Sequence, residues 1–177
     1  NKTLTMADEG EFDSLYHRYC VQIKALSPYV DVLLFETFFD TINLKAALLA
    51  AQTEAANVPV MVSVTLEKSG RLLSGQTLDA LVKTVEPFSP LSIGLNCSFG
   101  AAEMLPHLAR LSSLTSCYVS VHPNAGLPNE LGQYDETPQS MCQAMQPYFD
   151  RQLVNIVGGC CGTTPEHIAL LEAKASK

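Results

Sequence analysis

Five short apolar, β-branched runs separated by stretches of helical periodicity predict an α/β fold of repeated strand-helix units. The runs cover residues 30–36, 58–64, 91–97, 117–121 and 155–158. Strands joined through a helix run parallel, and a spacing of roughly 30 residues per unit matches βαβ crossovers. An open dinucleotide-binding sheet calls for glycines after its first strand, whereas Glu36-Thr37-Phe38-Phe39-Asp40-Thr41 has none. The pattern therefore points to a TIM-type (β/α)8 barrel. A complete barrel takes about 250 residues. The 177 residues here are expected to be a truncated piece carrying about the last five β/α units, with the first three strands absent.

Each helix has its own signal. Phe12, Leu15, Tyr16, Tyr19, Ile23 and Leu26 fall on one helical face ahead of the first strand. Periodic stretches at 42–56, 77–88, 101–112 and 138–149 predict further helices between the strands. Thr164-Pro165-Glu166 opens a last one, with proline in its first turn. At 47% hydrophobic residues the chain can bury the core of one globular domain. It has no run of about 18 apolar residues and no basic-then-apolar leader, so neither a membrane span nor secretion is expected and the setting is read as cytoplasmic. A net charge of -7 without a basic stripe excludes nucleic acid as the natural partner. Small molecules or other proteins are the expected partners.

The chemistry is expected where the strands end, because barrel active sites lie at the C-terminal ends of their strands. Those ends carry Glu36, Thr65, Cys97, the 122–126 segment, and Cys160 with Cys161. Six cysteines, sparse and irregular, do not make a disulfide framework. Cys20, Cys117 and Cys142 read as small buried hydrophobes. Cys160 and Cys161 stand in Gly158-Gly159-Cys160-Cys161-Gly162-Thr163-Thr164-Pro165. In a regular strand they would face opposite ways, so both reach one ion only if the backbone turns, which the glycines permit. Cys97, Cys160 and Cys161 are the predicted metal ligands. Three thiolates with a fourth position left for substrate describe a catalytic rather than a structural zinc.

Four segments together resemble the homocysteine-binding domain of cobalamin-dependent methionine synthase, a family of zinc-dependent homocysteine S-methyltransferases. They are Gly94-Leu95-Asn96-Cys97, the run from His122-Pro123-Asn124-Ala125-Gly126 to Asn129, Tyr134-Asp135-Glu136-Thr137-Pro138, and the run from Asn155 through Cys160-Cys161-Gly162 to Ile168. Glu36-Thr37 through Ala47 is similar to the family's segment after its fourth strand, so the likeness covers nearly the whole chain. The resemblance implies that residues 1–177 are the C-terminal part of a homocysteine-binding barrel domain and that its three cysteines bind Zn2+. It implies two substrate-binding residues: Glu36, meeting the ammonium of homocysteine, and Asn124, whose side-chain oxygen holds the fourth zinc position until the substrate thiolate displaces it. Asparagine in a turn also bonds its own backbone. The implied reaction is methyl transfer from methylcobalamin to the homocysteine thiolate, giving methionine. Methylcobalamin and methyltetrahydrofolate would sit on other domains, the folate- and cobalamin-binding domains of the same polypeptide.

Two other readings remain open on sequence. One is a stand-alone homocysteine S-methyltransferase with a sulfonium or betaine donor; the other is a non-catalytic fragment whose zinc only ties strand ends together. His17 and His107 read as packing or surface residues, and His167 as no ligand. His122 alone is expected near the site. The 16 residues from His122 to Thr137 are long for a barrel loop and are expected to face substrate or a partner.

Overall fold

A computed structural model of the chain describes residues 9–175. The chain divides into two compact units, Asn1–Ile93 and Gly94–Lys177. In sequence, a leading helix is followed by five strand-helix repeats, as the periodicities predict.

The first unit holds α1 (Glu9–Leu26), β1 (Leu33–Phe38), α2 (Thr41–Glu54), β2 (Val60–Val64), α3 (Leu78–Val85) and the first residues of β3 (Ser92–Asn96). β1 and β2 pair in parallel, with Leu33 opposite Val60 and Phe35 opposite Val62. Leu91 N–H donates to Val60 O at 2.7 Å, bringing the start of β3 alongside β2. Asp40 starts α2: its Oδ1 accepts Ile42 N–H at 2.7 Å, satisfying an N-terminal amide the helix leaves unpaired. α2 buries Leu44, Ala46, Ala47, Leu48 and Ala50. α1 docks on this helix, and its Tyr19 hydroxyl donates to Asn43 Oδ1 at 2.7 Å. Thr77 caps α3 through Ala80 N–H at 3.2 Å, and α3 buries Leu78, Leu81, Val82 and Val85.

The first strand departs from its expected limits of 30–36. It starts at Leu33, whose N–H reaches Pro59 O at 2.9 Å, and runs on to Phe38. Glu36 sits on the exposed face, while Leu33, Phe35 and Phe38 are buried. The register shifts between Phe35 and Phe38, where Thr37 takes a left-handed φ of 62°.

The second unit holds the rest of β3, α4 (Ala101–Leu114), β4 (Tyr118–His122), α5 (Pro138–Ala144), α6 (Gln146–Asp150), β5 (Ile156–Val157) and α7 (Pro165–Ala175). β4 and β5 are parallel, with Ser120 opposite Ile156 and Val121 opposite Val157. β5 is shorter than the expected 155–158, but the bonds continue on both sides. Asn155 N–H donates to Val119 O at 2.9 Å, its side-chain Oδ1 accepts Val119 N–H at 2.9 Å, and Gly158 N–H reaches Val121 O at 3.0 Å. The single helix expected over 138–149 is two, α5 and α6, broken at Met145. Pro147 explains the break, since it has no N–H to donate and its ring crowds the preceding turn. The buried Tyr148 on α6 closes the unit by donating its hydroxyl to Ala101 O at 2.5 Å.

No helix among the described residues is long and apolar enough to cross a membrane. Leu81 is fully buried. Leu81→Ala is expected to lower unfolding free energy by ~2–5 kcal/mol in chemical denaturation, and a loss below about 1 kcal/mol would contradict its place in the core.

Candidate metal centre

The ends of β3, β4 and β5 converge through backbone bonds that their side chains did not predict. Cys97 leaves β3 with φ 59° and Ser98 follows with φ 63°, two consecutive left-handed residues that turn the chain sharply. Cys97 N–H donates to His122 O at 3.0 Å, fastening this turn to the end of β4. Phe99 N–H returns to Cys97 O at 2.7 Å, and Asn124 N–H reaches Phe99 O at 3.0 Å. Beyond β4, Pro123 O accepts Cys160 N–H at 2.8 Å and Ala125 N–H donates to Cys161 O at 2.9 Å. Asn124 adds a side-chain clasp, its Oδ1 accepting Cys161 N–H at 3.1 Å. The two adjacent cysteines are thus gripped by the 123–125 segment.

Glycine is required where this grip is tightest. A Cβ on Gly158 would come 2.6 Å from Cδ2 of His122. Gly162 has φ +78°, and a Cβ there would lie 2.3 Å from Cβ of Tyr134. The chain turns between these glycines, with Thr163 N–H bonded to Cys160 O at 3.1 Å. That turn lets neighbouring side chains point to one place.

The place is a cluster of three sulfurs. Cys97 Sγ and Cys161 Sγ are 3.8 Å apart, Cys160 Sγ and Cys161 Sγ are 4.0 Å apart, and all three lie within 4.8 Å of one another. A tetrahedral zinc with Zn–S bonds of ~2.3 Å requires its sulfurs about 3.8 Å apart. The spacing matches that requirement, and all six cysteines of the chain are free thiols. Burial, with Cys97 and Cys161 beside it, pushes the Cys160 thiol up to about 11. Three negative sulfurs do not share so small a volume without a cation to compensate them. The donor set and its spacing fit a borderline-soft divalent ion.

Of the residues expected at the site, the second unit brings together Cys97, Cys160, Cys161 and Asn124. Glu36 belongs to β1 of the first unit, exposed and next to the left-handed Thr37. His122 packs its ring on Gly158. His167, buried at the start of α7, has ring nitrogens 2.9 Å from Thr164 Oγ1 and 2.9 Å from Glu136 O, which ties the helix to the long loop. His107 stacks on Phe99 with ring centres 5.6 Å apart, and burial lowers its pKa.

The sequence assigned no role to Tyr134, yet its hydroxyl hydrogen-bonds the Cys161 side chain. That bond, ahead of burial and the charges of the other two thiols, raises its ionisation above that of an ordinary tyrosine. Residues 128–134 of the loop fold into a small hairpin that presents it, with Pro128 bridged to Tyr134. Asn129 organises the tip. Its Oδ1 accepts both Leu131 N–H and Gln133 N–H at 2.9 Å, and its Nδ2 donates to Asp135 at 2.8 Å. The signal was in the text, since both Asn129 and the segment from Tyr134 to Pro138 belong to the motifs that carry the resemblance. The contact depends on a loop closure that local pattern does not reveal.

A family model of homocysteine S-methyltransferases matches residues 1–175. The chain belongs to the homocysteine S-methyltransferase family. Solved structures of the homocysteine methyltransferase MmuM from Escherichia coli are similar to it. The apo form has a TM-score of 0.71 at 26% identity, over 92% of this chain and 57% of that one. The metallated form gives 0.69 at 26% identity, over 90% and 52%. The oxidized form, at 24% identity and TM-score 0.70 over 96% and 57%, shows the fold alone. The chain spans between 52% and 57% of the length of these structures.

In this member of the family the loop that carries Tyr134 also carries Glu136. Burial and the nearby Glu103 raise the pKa of the Glu136 carboxyl, while His167 and the Gly126 N–H act in the opposite direction. A raised carboxyl pKa favours the protonated form in the folded state. The associated stability is therefore complete below the ordinary value of 4.5 and is lost as pH rises through the folded value. Glu136→Gln is expected to raise the thermal midpoint at pH 7 and to leave it unchanged well below pH 4.5, where wild type is also neutral. An equal gain at both pH values in calorimetry would contradict this account.

Proposed function

We propose that the chain is the metal-binding part of a homocysteine-binding domain, in which Cys97, Cys160 and Cys161 hold zinc and the homocysteine thiolate is readied for methylation to methionine. The observation that carries this reading is the sulfur spacing, 3.8 and 4.0 Å for the two pairs that share Cys161. A closed structural zinc takes four protein ligands, whereas the described residues supply one cluster of three. That difference favours a site that admits a substrate thiol. Residues 1–177 are read as the C-terminal part of a TIM-type barrel whose first three strands lie outside them. The coverage of little more than half of the MmuM chain supports this. The methyl donor is read as methylcobalamin, recharged from methyltetrahydrofolate, both on other domains of the same polypeptide. The motif wording from Asn124 to Asn129 and from Tyr134 to Pro138 favours that donor.

When bound, zinc would stabilise the deprotonated form of a thiol whose free pKa is about 8.5. The chain's own residues do the rest. Cys97, Cys160 and Cys161 present three negative donors, which leaves electron density on an incoming sulfur. Asn124 holds the Cys161 backbone through its N–H, so the ligand arrives preoriented. Glu36 would receive the substrate ammonium, for which an exposed carboxylate on β1 is suited. The displaced thiol proton leaves to solvent. No residue need form a covalent intermediate, because a methyl group passes to sulfur by direct displacement.

X-ray absorption on the zinc-loaded intact enzyme is expected to count three sulfurs without substrate and four with homocysteine. Cys161→Ser should lose most of the bound zinc. Unchanged coordination on adding homocysteine would leave only the structural-zinc reading, and turnover with a sulfonium or betaine donor but not with methylcobalamin would reassign the donor.

A further inference from the structure

His167 is only 4% exposed, so both of its ring nitrogens need partners inside the protein. Nε2 lies 2.9 Å from the carbonyl oxygen of Glu136, which has no hydrogen to give, so Nε2 carries the proton and donates. Nδ1 accepts the backbone N–H of Thr164 at 3.2 Å. The two bonds run to different parts of the chain. Thr164 stands at the head of α7, where its carbonyl accepts the first helical bonds, from His167 N–H at 3.1 Å and Ile168 N–H at 3.3 Å. A side chain three residues into a helix that reaches back to the capping residue's amide is one half of a capping box, a place usually held by glutamate or glutamine. Those residues serve the helix alone. An imidazole has a second nitrogen on the far side of its ring, and here that nitrogen holds the long loop.

We propose that His167 is a positioning residue for the metal centre: with one nitrogen on the head of α7 and the other on the loop, it keeps residues 125–136 closed on the turn that carries Cys160 and Cys161. This rests on the zinc reading above. The loop is bonded to the 160–167 stretch at both of its ends. Ala125 N–H reaches Cys161 O at 2.9 Å at the near end, and Glu136 O receives the His167 ring at the far end. Between them the loop packs tightly on Gly162, where an added Cβ would come 2.3 Å from Cβ of Tyr134. Releasing the far end lets the loop lift from Gly162 and loosens the Asn124 and Ala125 bonds that orient Cys161. Residues outside the ligand set act on metal affinity in this way, by fixing the ligands before the ion arrives.

His167→Gln separates the two bonds, since glutamine suits the capping position but lacks the opposed second nitrogen; His167→Ala removes both. Backbone amide exchange of the zinc-free intact enzyme is read by mass spectrometry over residues 126–137 and over α7, and zinc affinity is measured by chelator competition. In the glutamine variant, exchange in the loop is expected to rise about tenfold with α7 unchanged, and zinc to bind roughly 10-fold more weakly. The alanine variant is expected to add faster exchange in the first turn of α7. Loop exchange at the wild-type rate in the glutamine variant would overturn the proposal. So would a glutamine variant that binds zinc as tightly as a zinc-binding wild type, and this result would leave the zinc reading standing. If the wild type itself holds no zinc at the three cysteines, the zinc reading fails, and this inference with it.

Discussion

Three sulfur atoms from sequence-distant strand ends must stand about 3.8 Å apart, and most of the unusual backbone in the second unit serves that constraint. Cys97 leaves β3 through two left-handed residues, where L-amino acids normally sacrifice about 1–2 kcal/mol each. Cys160 and Cys161 follow one another, so a straight strand would have aimed them apart. The chain meets both difficulties with main-chain bonds. His122 O holds Cys97, Pro123 O holds Cys160, and Asn124 with Ala125 holds Cys161 by its N–H and carbonyl. The last residue of β4 and the short segment after it are therefore the clamp that fixes all three cysteines.

The same segment accounts for the length of the loop that follows. Residues 123–125 engage the cysteines, 128–134 form the hairpin that returns Tyr134 to Cys161, and Glu136 O meets the buried His167 at 2.9 Å. Each stretch touches a different part of the 160–167 turn and helix start. What looks like an overlong connection packs along the 160–167 stretch that carries two of the thiols. Burial, and then the neighbouring sulfurs, disfavour charge on Cys160, as its upward push shows. A divalent ion would reverse that balance, and the cluster is one that could hold a metal.

Much of this was legible in the chain. Strand and helix periodicities located every strand-helix repeat, and the paired cysteines among glycines announced a turn with two ligands. The departures have local causes. Glu36 looked like a strand end but lies on the exposed face of a strand that continues, and Pro147 splits a helix whose apolar spacing is unbroken. Asn124, expected at the metal, stands beside Cys161 and accepts its backbone N–H on the side-chain oxygen. Tyr134 escaped notice because its contact with Cys161 arises from loop closure across 27 positions, for which neither periodicity nor composition carries a signal. Family membership, by contrast, rests on motifs that span the clamp, the hairpin and the turn together.

The most direct measurement is anomalous diffraction at the zinc absorption edge from crystals of the zinc-loaded protein. The account predicts a single peak about 2.3 Å from the Sγ atoms of Cys97, Cys160 and Cys161 alike. A peak bonded to Cys160 and Cys161 with Cys97 out of reach, or no peak at these sulfurs, would contradict it.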